Sequence, residues 1–250
     1  MKNDVPYILE ETGDYAVVFK PAKMHSAPLT KKESSPKDSG ALLEWYAAQS
    51  SSAVYLMHRL DFETHGLVLF AKNSKSYDFF KSLQDCGGFV KEYSAVCAEK
   101  ESTVTIDGFP PSPHFASCEP SPEKPLVIES YFRPFGPGRK QVRPVIEDGK
   151  KHREVAKDNG GFYRTEIIGR DGSFFTLRIK RGFRHQIRCH LCWIGFPILN
   201  DSIYNSPSDA EAVLALCAHA LFFTDPSNGK PREYRIAPLD FFEKDLTQRR

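Results

Sequence analysis

Six short stretches rich in β-branched and aromatic residues are the feature that most constrains the fold of this chain. Such stretches are typical of β-strands. The predicted helices between them are few and irregularly spaced, so the chain lacks the regular strand–helix alternation of a doubly wound parallel sheet. We therefore predict an α+β fold with a mixed, mainly antiparallel sheet flanked by helices. The predicted strands are 15–19, 67–71, 93–98, 126–132, 163–168 and 174–179, and the predicted helices are 41–48, 75–84 and 184–194.

Turn and cap residues support these element boundaries. The last two predicted strands flank Asp171-Gly172, and the glycine supplies the positive φ that a tight hairpin turn requires. Asn73 precedes the second predicted helix and is a favoured N-cap residue. Gly195 follows the third predicted helix, where a glycine commonly ends helices.

The chain shows no composition shift that would divide it. We therefore expect residues 1–250 to form a single domain. Residues 101–125 carry six of the 18 prolines. A proline-rich stretch of that length is predicted to be a loop insertion at the surface.

Cysteine usage and hydropathy indicate the compartment. Six cysteines are scattered through a chain of 250 residues, which favours free thiols in a reducing environment over a disulfide framework. The longest apolar run, residues 212–218, is far too short to span a bilayer. We expect a cytoplasmic, monomeric protein without a membrane partner.

Local charge patches point to an anionic partner. The formal net charge is only +2, so any affinity for nucleic acid must come from patches. Residues 178–190 carry five Lys or Arg and no acid, and residues 139–157 carry seven against three acids. A solvated surface is the commoner origin of one such run. Because two such basic runs occur in this chain, we take an RNA-binding face as a hypothesis.

The densest local signal runs from His58 to Lys72. An apolar run ends in His58-Arg59-Leu60-Asp61, the chain turns, and a second apolar run begins at Leu67. This pattern places Asp61 where a rigid strand meets a loop. An isolated aspartate there is more often an ordinary turn residue.

The stretch 58–72 resembles the signature of the RluA-type pseudouridine synthases. The match includes His58-Arg59-Leu60-Asp61, Thr64 and Gly66, and it departs at His65, where the family usually has serine. Further stretches match in the family's order with single departures at Lys23, Phe183 and Asn200. These stretches are 14–22, 91–96, 181–191, 195–198, Asp201, 218–220 and 238–239.

The resemblance implies that residues 1–250 form a single pseudouridine synthase catalytic domain with a central basic cleft and without the separate N-terminal RNA-binding domain that many relatives carry. It also implies an enzyme that isomerises uridine in ribosomal or transfer RNA without cofactor or metal. It makes Asp61 the catalytic carboxylate and Arg188 the cation that keeps it ionised. Tyr93 would stack on the displaced uracil and help the C5 proton depart. Arg59, Arg184 and His185 would bind substrate, with Arg184 one helical turn before Arg188 and suited to phosphate.

Four alternatives stay open at this point. Cys189 and Cys192 with nearby histidines resemble half of a zinc site, without a second pair. Asp61 and Glu63 could form a glycosidase pair. An N-glycosylase acting on RNA or nucleotides, or a non-catalytic RNA-binding protein, could use the same fold.

The residues also leave open whether Asp61 attacks C1′ or removes a ribose proton. They do not identify which RNA and which uridine are modified.

Overall fold

The chain divides into two compact units in a computed structural model. The first unit takes Met1–Tyr93 and Leu216–Arg250, and the second takes Ser94–Ala215. The expected single domain stays a prediction, and each unit is described by itself. The structure describes residues 5–29, 40–98, 107–113, 119–146, 162–205 and 212–237.

Strands dominate the described residues, as the sequence predicts. Strand β5 begins in the first unit and ends in the second. The strands are β1 (Tyr7–Glu11), β2 (Tyr15–Lys20), β3 (Tyr55–Leu56), β4 (His65–Ala71), β5 (Val90–Val96), β6 (Leu126–Phe135), β7 (Gln141–Val145), β8 (Tyr163–Asp171), β9 (Phe174–Ile179), β10 (Leu216–Thr224) and β11 (Pro231–Arg235). The helices are α1 (Leu42–Ala47), α2 (Ser74–Asp85) and α3 (Gln186–Trp193), and a 3-10 turn covers Pro137–Arg139.

The first unit is built on β2 and β4, which pair antiparallel and are buried along their whole length. Their continuous apolar runs suit strands that are covered on both faces. Strand β1 pairs with β2, β3 with β4 and β11 with β10, all antiparallel, while β10 runs parallel to β4. Helix α2 begins at the N-cap Asn73, whose side chain accepts a hydrogen bond from the Ser76 amide at 2.8 Å.

The second unit contains the predicted hairpin. Strands β8 and β9 pair antiparallel up to Asp171 and Phe174, and Gly172 in the turn has a φ of 54°. Strand β6 pairs with both β7 and β8. All eight side chains of α3 are buried, and the thiol side chains of Cys189 and Cys192 belong to its hydrophobic core. This packing makes α3 the centre of the second unit.

Most sequence predictions agree with the structure, and the fold class is α+β with a mixed, mainly antiparallel sheet arrangement. All six predicted strands and all three predicted helices are present, and their ends differ from the predicted ones by at most a few residues. Five strands (β1, β3, β7, β10 and β11) escaped prediction. The described parts of the predicted loop insertion, residues 107–113 and 119–125, contain no helix or strand, and the rest of it lies outside the described residues. No helix in the described part of the chain is long and apolar enough to cross a membrane.

Gly66 is required where β4 meets β10. It pairs with Ala218 across the parallel strands and has a φ of +129°, and a Cβ there would lie 2.3 Å from the Ala218 carbonyl oxygen. The neighbouring atoms belong to backbone in a buried strand, so they cannot swing aside. Any side chain at this position therefore strains the backbone and separates the strands.

We predict that Gly66→Ala lowers the free energy of unfolding by about 2–6 kcal/mol, since overpacking and a strained φ each cost roughly 1–3 kcal/mol. The matched control is Gly172→Ala, which also has a positive φ but has open space around the new Cβ, and should cost about 1–2 kcal/mol. Chemical denaturation of both variants measures the difference. Equal losses would show that the contact with Ala218 is unimportant.

Candidate active site

Asp61 lies in the connection between β3 and β4, residues 57–64. Both ends of this connection are anchored on the same strand, because β3 pairs with the far end of β4. The Thr64 amide donates a hydrogen bond to the Asp61 carbonyl at 3.1 Å and closes the turn. Asp61 is half-buried, so the residue stands on this turn and remains partly exposed.

Ser26 fixes the residue before Asp61. Its hydroxyl accepts a hydrogen bond from the Leu60 amide at 3.0 Å and donates one to the Leu60 carbonyl at 2.9 Å. Ser26 is 2% exposed, so neither backbone group of Leu60 could turn to water without moving the loop. A single buried side chain therefore satisfies both polar groups of Leu60.

Lys20 fixes the residue after Asp61. Its ammonium, at the buried end of β2, donates to the carbonyls of Pro21 at 2.9 Å, Met24 at 2.7 Å and Phe62 at 3.3 Å. Lys20 is 0% exposed. Ser26 and Lys20 together hold the backbone on both sides of Asp61.

The charge of Lys20 also acts on Asp61. Burial lowers the pKa of Lys20 to about 7, and the negative charge of Asp61 opposes that shift. Three carbonyl acceptors match the three hydrogens of an ammonium group, whereas a neutral amine would leave one acceptor unfilled. The hydrogen-bond geometry thus favours the charged lysine, and its ammonium lies close enough to Asp61 for the two charges to interact.

Tyr93 lies near Asp61 within the same unit. It is 5% exposed on β5, and its pKa is raised above the ordinary value by burial first, then by the charge of Asp61 and by Cys217. The structure thus brings together the predicted Asp61 and Tyr93. At neutral pH the Tyr93 hydroxyl is protonated and can act as a hydrogen-bond donor, but not as a phenolate base.

Two other residues of the 58–61 stretch have different roles. His58 accepts a hydrogen bond from the Leu69 amide at 3.1 Å through Nε2, which ties the connection to β4. Burial and, to a smaller extent, Lys91 hold the pKa of His58 well below its usual range, so it is neutral. Arg59 is exposed, and its predicted contact with substrate stays a prediction.

Arg188 belongs to the second unit and pairs there with Asp201. Its Nε donates to Asp201 Oδ2 at 2.8 Å and its Nη2 to Oδ1 at 2.7 Å. Both residues are buried. Asp201 Oδ1 also accepts from the amides of Ile203 and Tyr204, at 2.9 and 3.0 Å. The proposed role of Arg188 beside Asp61 stays a prediction, and its contact with Asp201 was not foreseen.

Arg184 does not lie on a helix face with Arg188, which corrects the sequence prediction. His185 has a φ of 58°, and this left-handed residue separates Arg184 from α3. The exposed Arg184 guanidinium donates to the carbonyls of Arg139 at 2.7 Å and Gln141 at 3.3 Å. The His185 ring lies 3.4 Å from the Tyr204 hydroxyl. Substrate contacts by Arg184 and His185 stay predictions.

Other polar residues of α3 hold the helix in place. His190 hydrogen-bonds through its two ring nitrogens to the hydroxyls of Ser130 and Thr165, each at 2.9 Å. The thiols of Cys189 and Cys192 donate to backbone carbonyls, at 3.6 Å and 3.3 Å. These side chains therefore make hydrogen bonds to other residues of the second unit, which attach α3 to the strands and loops around it.

Sequence reasoning missed Ser26 and the role of Lys20. A lysine at the end of a wholly apolar strand was a usable signal, because a buried ammonium must find acceptors. Ser26 gave no signal, since a serine before Ala27-Pro28 reads as an ordinary loop residue.

The site brings together three chemical groups. The Asp61 carboxylate can act as a nucleophile or a base, Lys20 supplies a buried cation, and the neutral Tyr93 phenol can donate a hydrogen bond.

Comparison with known proteins connects this geometry to a reaction. Residues 14–193 match the family model described as RNA pseudouridylate synthase. An uncharacterized protein of Caenorhabditis elegans is 31% identical over 208 residues, covering 81% of this chain and 40% of its own. The dual-specificity RNA pseudouridine synthase RluA of Escherichia coli O157:H7 is 25% identical over 236 residues, covering 94% and 93%.

A solved structure shares the fold. Human RNA pseudouridylate synthase domain containing 1 superposes with a TM-score of 0.63 at 17% identity, over 94% of this chain and 84% of the human one. Across three of the relatives that it matches in sequence, the chain spans 40%, 66% and 51% of their lengths.

Removing the Ser26 hydroxyl should loosen the connection that carries Asp61. We predict that Ser26→Ala lowers the free energy of unfolding by about 1–3 kcal/mol, because buried backbone groups of Leu60 lose their partner. Amide exchange at Leu60 should accelerate, as measured by hydrogen exchange. Ser112→Ala is the control, since Ser112 is exposed and its hydroxyl donates a hydrogen bond at the surface, to the Pro113 carbonyl at 3.5 Å. Unchanged protection at Leu60 would contradict the assigned role of Ser26.

Proposed function

Because the chain belongs to the RNA pseudouridylate synthase family, we propose that it isomerises uridine within RNA to pseudouridine and that Asp61 is the catalytic carboxylate. The observation that supports this assignment is the convergence of Asp61, Tyr93 and the buried Lys20 in the first unit. Together they supply a carboxylate, a nearby positive charge and an aromatic ring.

The isomerisation breaks one bond to ribose C1′ and forms another. The bond from uracil N1 to C1′ breaks, the base rotates, and C5 bonds to C1′. C5 loses a proton and N1 gains one, so atoms and electrons balance without oxidant, reductant or water. A carboxylate is sufficient for this chemistry, either as a nucleophile toward C1′ or as a base that removes a ribose proton.

The surroundings of Asp61 support either role. A carboxylate that loses water when a base closes over it drifts toward the neutral form unless a positive charge is near. Lys20 supplies such a charge within the unit. We propose Arg188 as a second cation that acts on the site, as the family resemblance implies. Ser26 and Lys20 hold the backbone, so little reorganisation is needed when substrate binds.

Tyr93 is proposed to offer its ring to the displaced uracil and its hydroxyl as a hydrogen-bond donor. An enzyme that extracts a base from its stack replaces the lost contact with an aromatic face. The raised pKa keeps the phenol protonated. We therefore assign Tyr93 to positioning the uracil and donating a hydrogen bond rather than to removing the C5 proton.

The proposed substrate is ribosomal or transfer RNA. Arg59, Arg184 and His185 are the proposed contacts to it, and Arg178, Lys180 and Arg181 supply further positive charge in the run 178–190. Contacts to phosphate give affinity without sequence specificity. We further propose a monomer in the cytoplasm. The free thiols of Cys86, Cys97, Cys189, Cys192 and Cys217 support a reducing compartment.

We predict that Asp61→Asn removes pseudouridine formation and leaves the fold intact. Asparagine has nearly the same size but cannot act as a carboxylate nucleophile or base, so the rate should fall at least about a thousandfold, or about 4 kcal/mol. The assay incubates folded protein with total cellular RNA and scores isomerisation by a pseudouridine-selective label.

Glu63→Gln is the matched control for this test. It makes the same chemical change two residues away, at a position that the family signature leaves variable, and should keep activity. RNA mass separates the proposal from an N-glycosylase, because isomerisation leaves the mass unchanged whereas loss of a base does not. Labelling by Asp61→Asn at the wild-type rate would overturn the assignment.

Two substitutions at Tyr93 separate its ring from its hydroxyl. Tyr93→Phe should keep RNA affinity and lose turnover, because the ring remains and the donor is gone. Tyr93→Ala should lose both, with affinity falling about 5- to 150-fold for one lost stacking contact. Filter binding and single-turnover labelling measure the two effects. Full turnover by Tyr93→Phe would show that the hydroxyl has no part in the reaction.

A further inference from the structure

An exposed aromatic ring directly follows Asp61. Phe62 is 40% exposed, although its neighbours Leu60 and Thr64 are buried. Among the large hydrophobic side chains exposed in the described residues of the first unit (Val5, Leu9 and Phe62), it is the one aromatic. Single exposed apolar side chains are common on proteins. This one differs in its position, since it directly follows the proposed catalytic carboxylate.

The Phe62 ring is held in place from one side. The His25 ring packs against it with centroids 4.6 Å apart and planes tilted by 36°. The Phe62 carbonyl accepts a hydrogen bond from the Lys20 ammonium, and the preceding Leu60 is held by Ser26. One face of Phe62 is therefore covered and its backbone is fixed, so a planar ligand could stack on it at a small cost in conformational entropy.

The exposed charged side chains close to Phe62 and His25 in the chain are cations. Arg59 and Lys23 are exposed and lie within three residues of Phe62 and His25, whereas the two acids that flank Phe62 directly, Asp61 and Glu63, are half-buried. Single-stranded RNA presents flat bases on an anionic backbone, and proteins bind it by stacking bases on aromatic side chains beside basic groups. A planar ring with exposed cations nearby matches that chemistry.

We propose that Phe62, backed by His25, stacks on the base of a nucleotide adjacent to the target uridine. This inference rests on the proposed function. When the target uridine leaves its stack, its neighbour loses a stacking partner, and the exposed face of Phe62 replaces it. Consecutive Cα atoms lie 3.8 Å apart, so Asp61 and Phe62 can engage adjacent nucleotides. Stacking tolerates any base, so this site favours an unstacked neighbour without reading its identity.

Photochemical cross-linking tests the stacking directly. The probe is a random-sequence, 30-nucleotide RNA with 5-iodouridine in place of uridine, irradiated on the wild-type protein and analysed by mass spectrometry of the peptides. The result expected is an RNA adduct on Phe62. RNA that fails to bind, or that forms adducts elsewhere and none on Phe62, overturns the inference. Because this readout needs no turnover, it stands apart from the labelling assay that tests the proposed function.

Affinity measurements on variants complete the test. Phe62→Leu keeps apolar bulk but removes the ring, so affinity for the same RNA should fall about 5- to 150-fold. Phe62→Tyr keeps the ring and should stay within about twofold. Phe162→Leu is the matched control, because Phe162 is 46% exposed and packs on Tyr131 with centroids 4.5 Å apart and the same 36° tilt, but does not follow a catalytic carboxylate.

Thermal unfolding shows whether each variant is folded. Equal losses of affinity in Phe62→Leu and Phe162→Leu would overturn the assignment of a specific site, as would wild-type affinity in a folded Phe62→Leu. Wild-type protein that forms no pseudouridine but cross-links through Phe62 would refute the proposed function and keep the stacking site.

Discussion

The ammonium of Lys20 holds the connection that carries Asp61, and the candidate site depends on that contact. Burying an ammonium costs several kcal/mol unless acceptors replace water. Here three carbonyls do so, and the charge of Asp61 adds to their effect. Strand β2 is buried throughout and ends at Lys20, so the sheet fixes the position of the ammonium. Ser26 fixes the other side of the connection through its two hydrogen bonds with Leu60.

The second unit uses the same principle around α3. Arg188 forms a buried, two-bond pair with Asp201, and Gln186 donates to the Arg164 carbonyl and the Thr165 hydroxyl. Removing one partner of such a pair typically costs about 3–5 kcal/mol, since the other charge is left buried alone. Motif residues of the 181–191 block thus fix the position of α3, whatever further contacts they make with substrate.

Strands with a continuous apolar run are predictable from the sequence, and strands that mix apolar residues with charged residues and proline are not. Strands β2 and β4 are continuous apolar runs and were found. Strand β7 contains Arg143 and Pro144, and β11 reads Pro-Arg-Glu-Tyr-Arg and is mostly exposed, so neither shows an apolar stretch. Strand β10 begins inside the longest apolar run, residues 212–218, and a short apolar run does not by itself distinguish a strand from a helix.

The site was predictable in its motifs and not in its long-range contacts. Asp61 and Tyr93 came from the family signature. The hydrogen bonds from Lys20 to Phe62 and between Ser26 and Leu60 join residues 42 and 34 positions apart. Local propensity does not encode such distances. The left-handed His185, which separates Arg184 from α3, has no such signal either, because a positive φ is uncommon for any residue other than glycine.

Electrostatics limit which groups near Asp61 can move a proton. Burial raises the pKa of Tyr93, so its hydroxyl keeps its proton. Burial and the charge of Lys20 lower the pKa of His65 to about 3, so its ring is neutral and a weak base at physiological pH. The hydrogens of Lys20 are all directed at carbonyls. Of these four groups, Asp61 is the half-buried carboxylate, which is the chemical reason for proposing it, and not the other three, as the nucleophile or base.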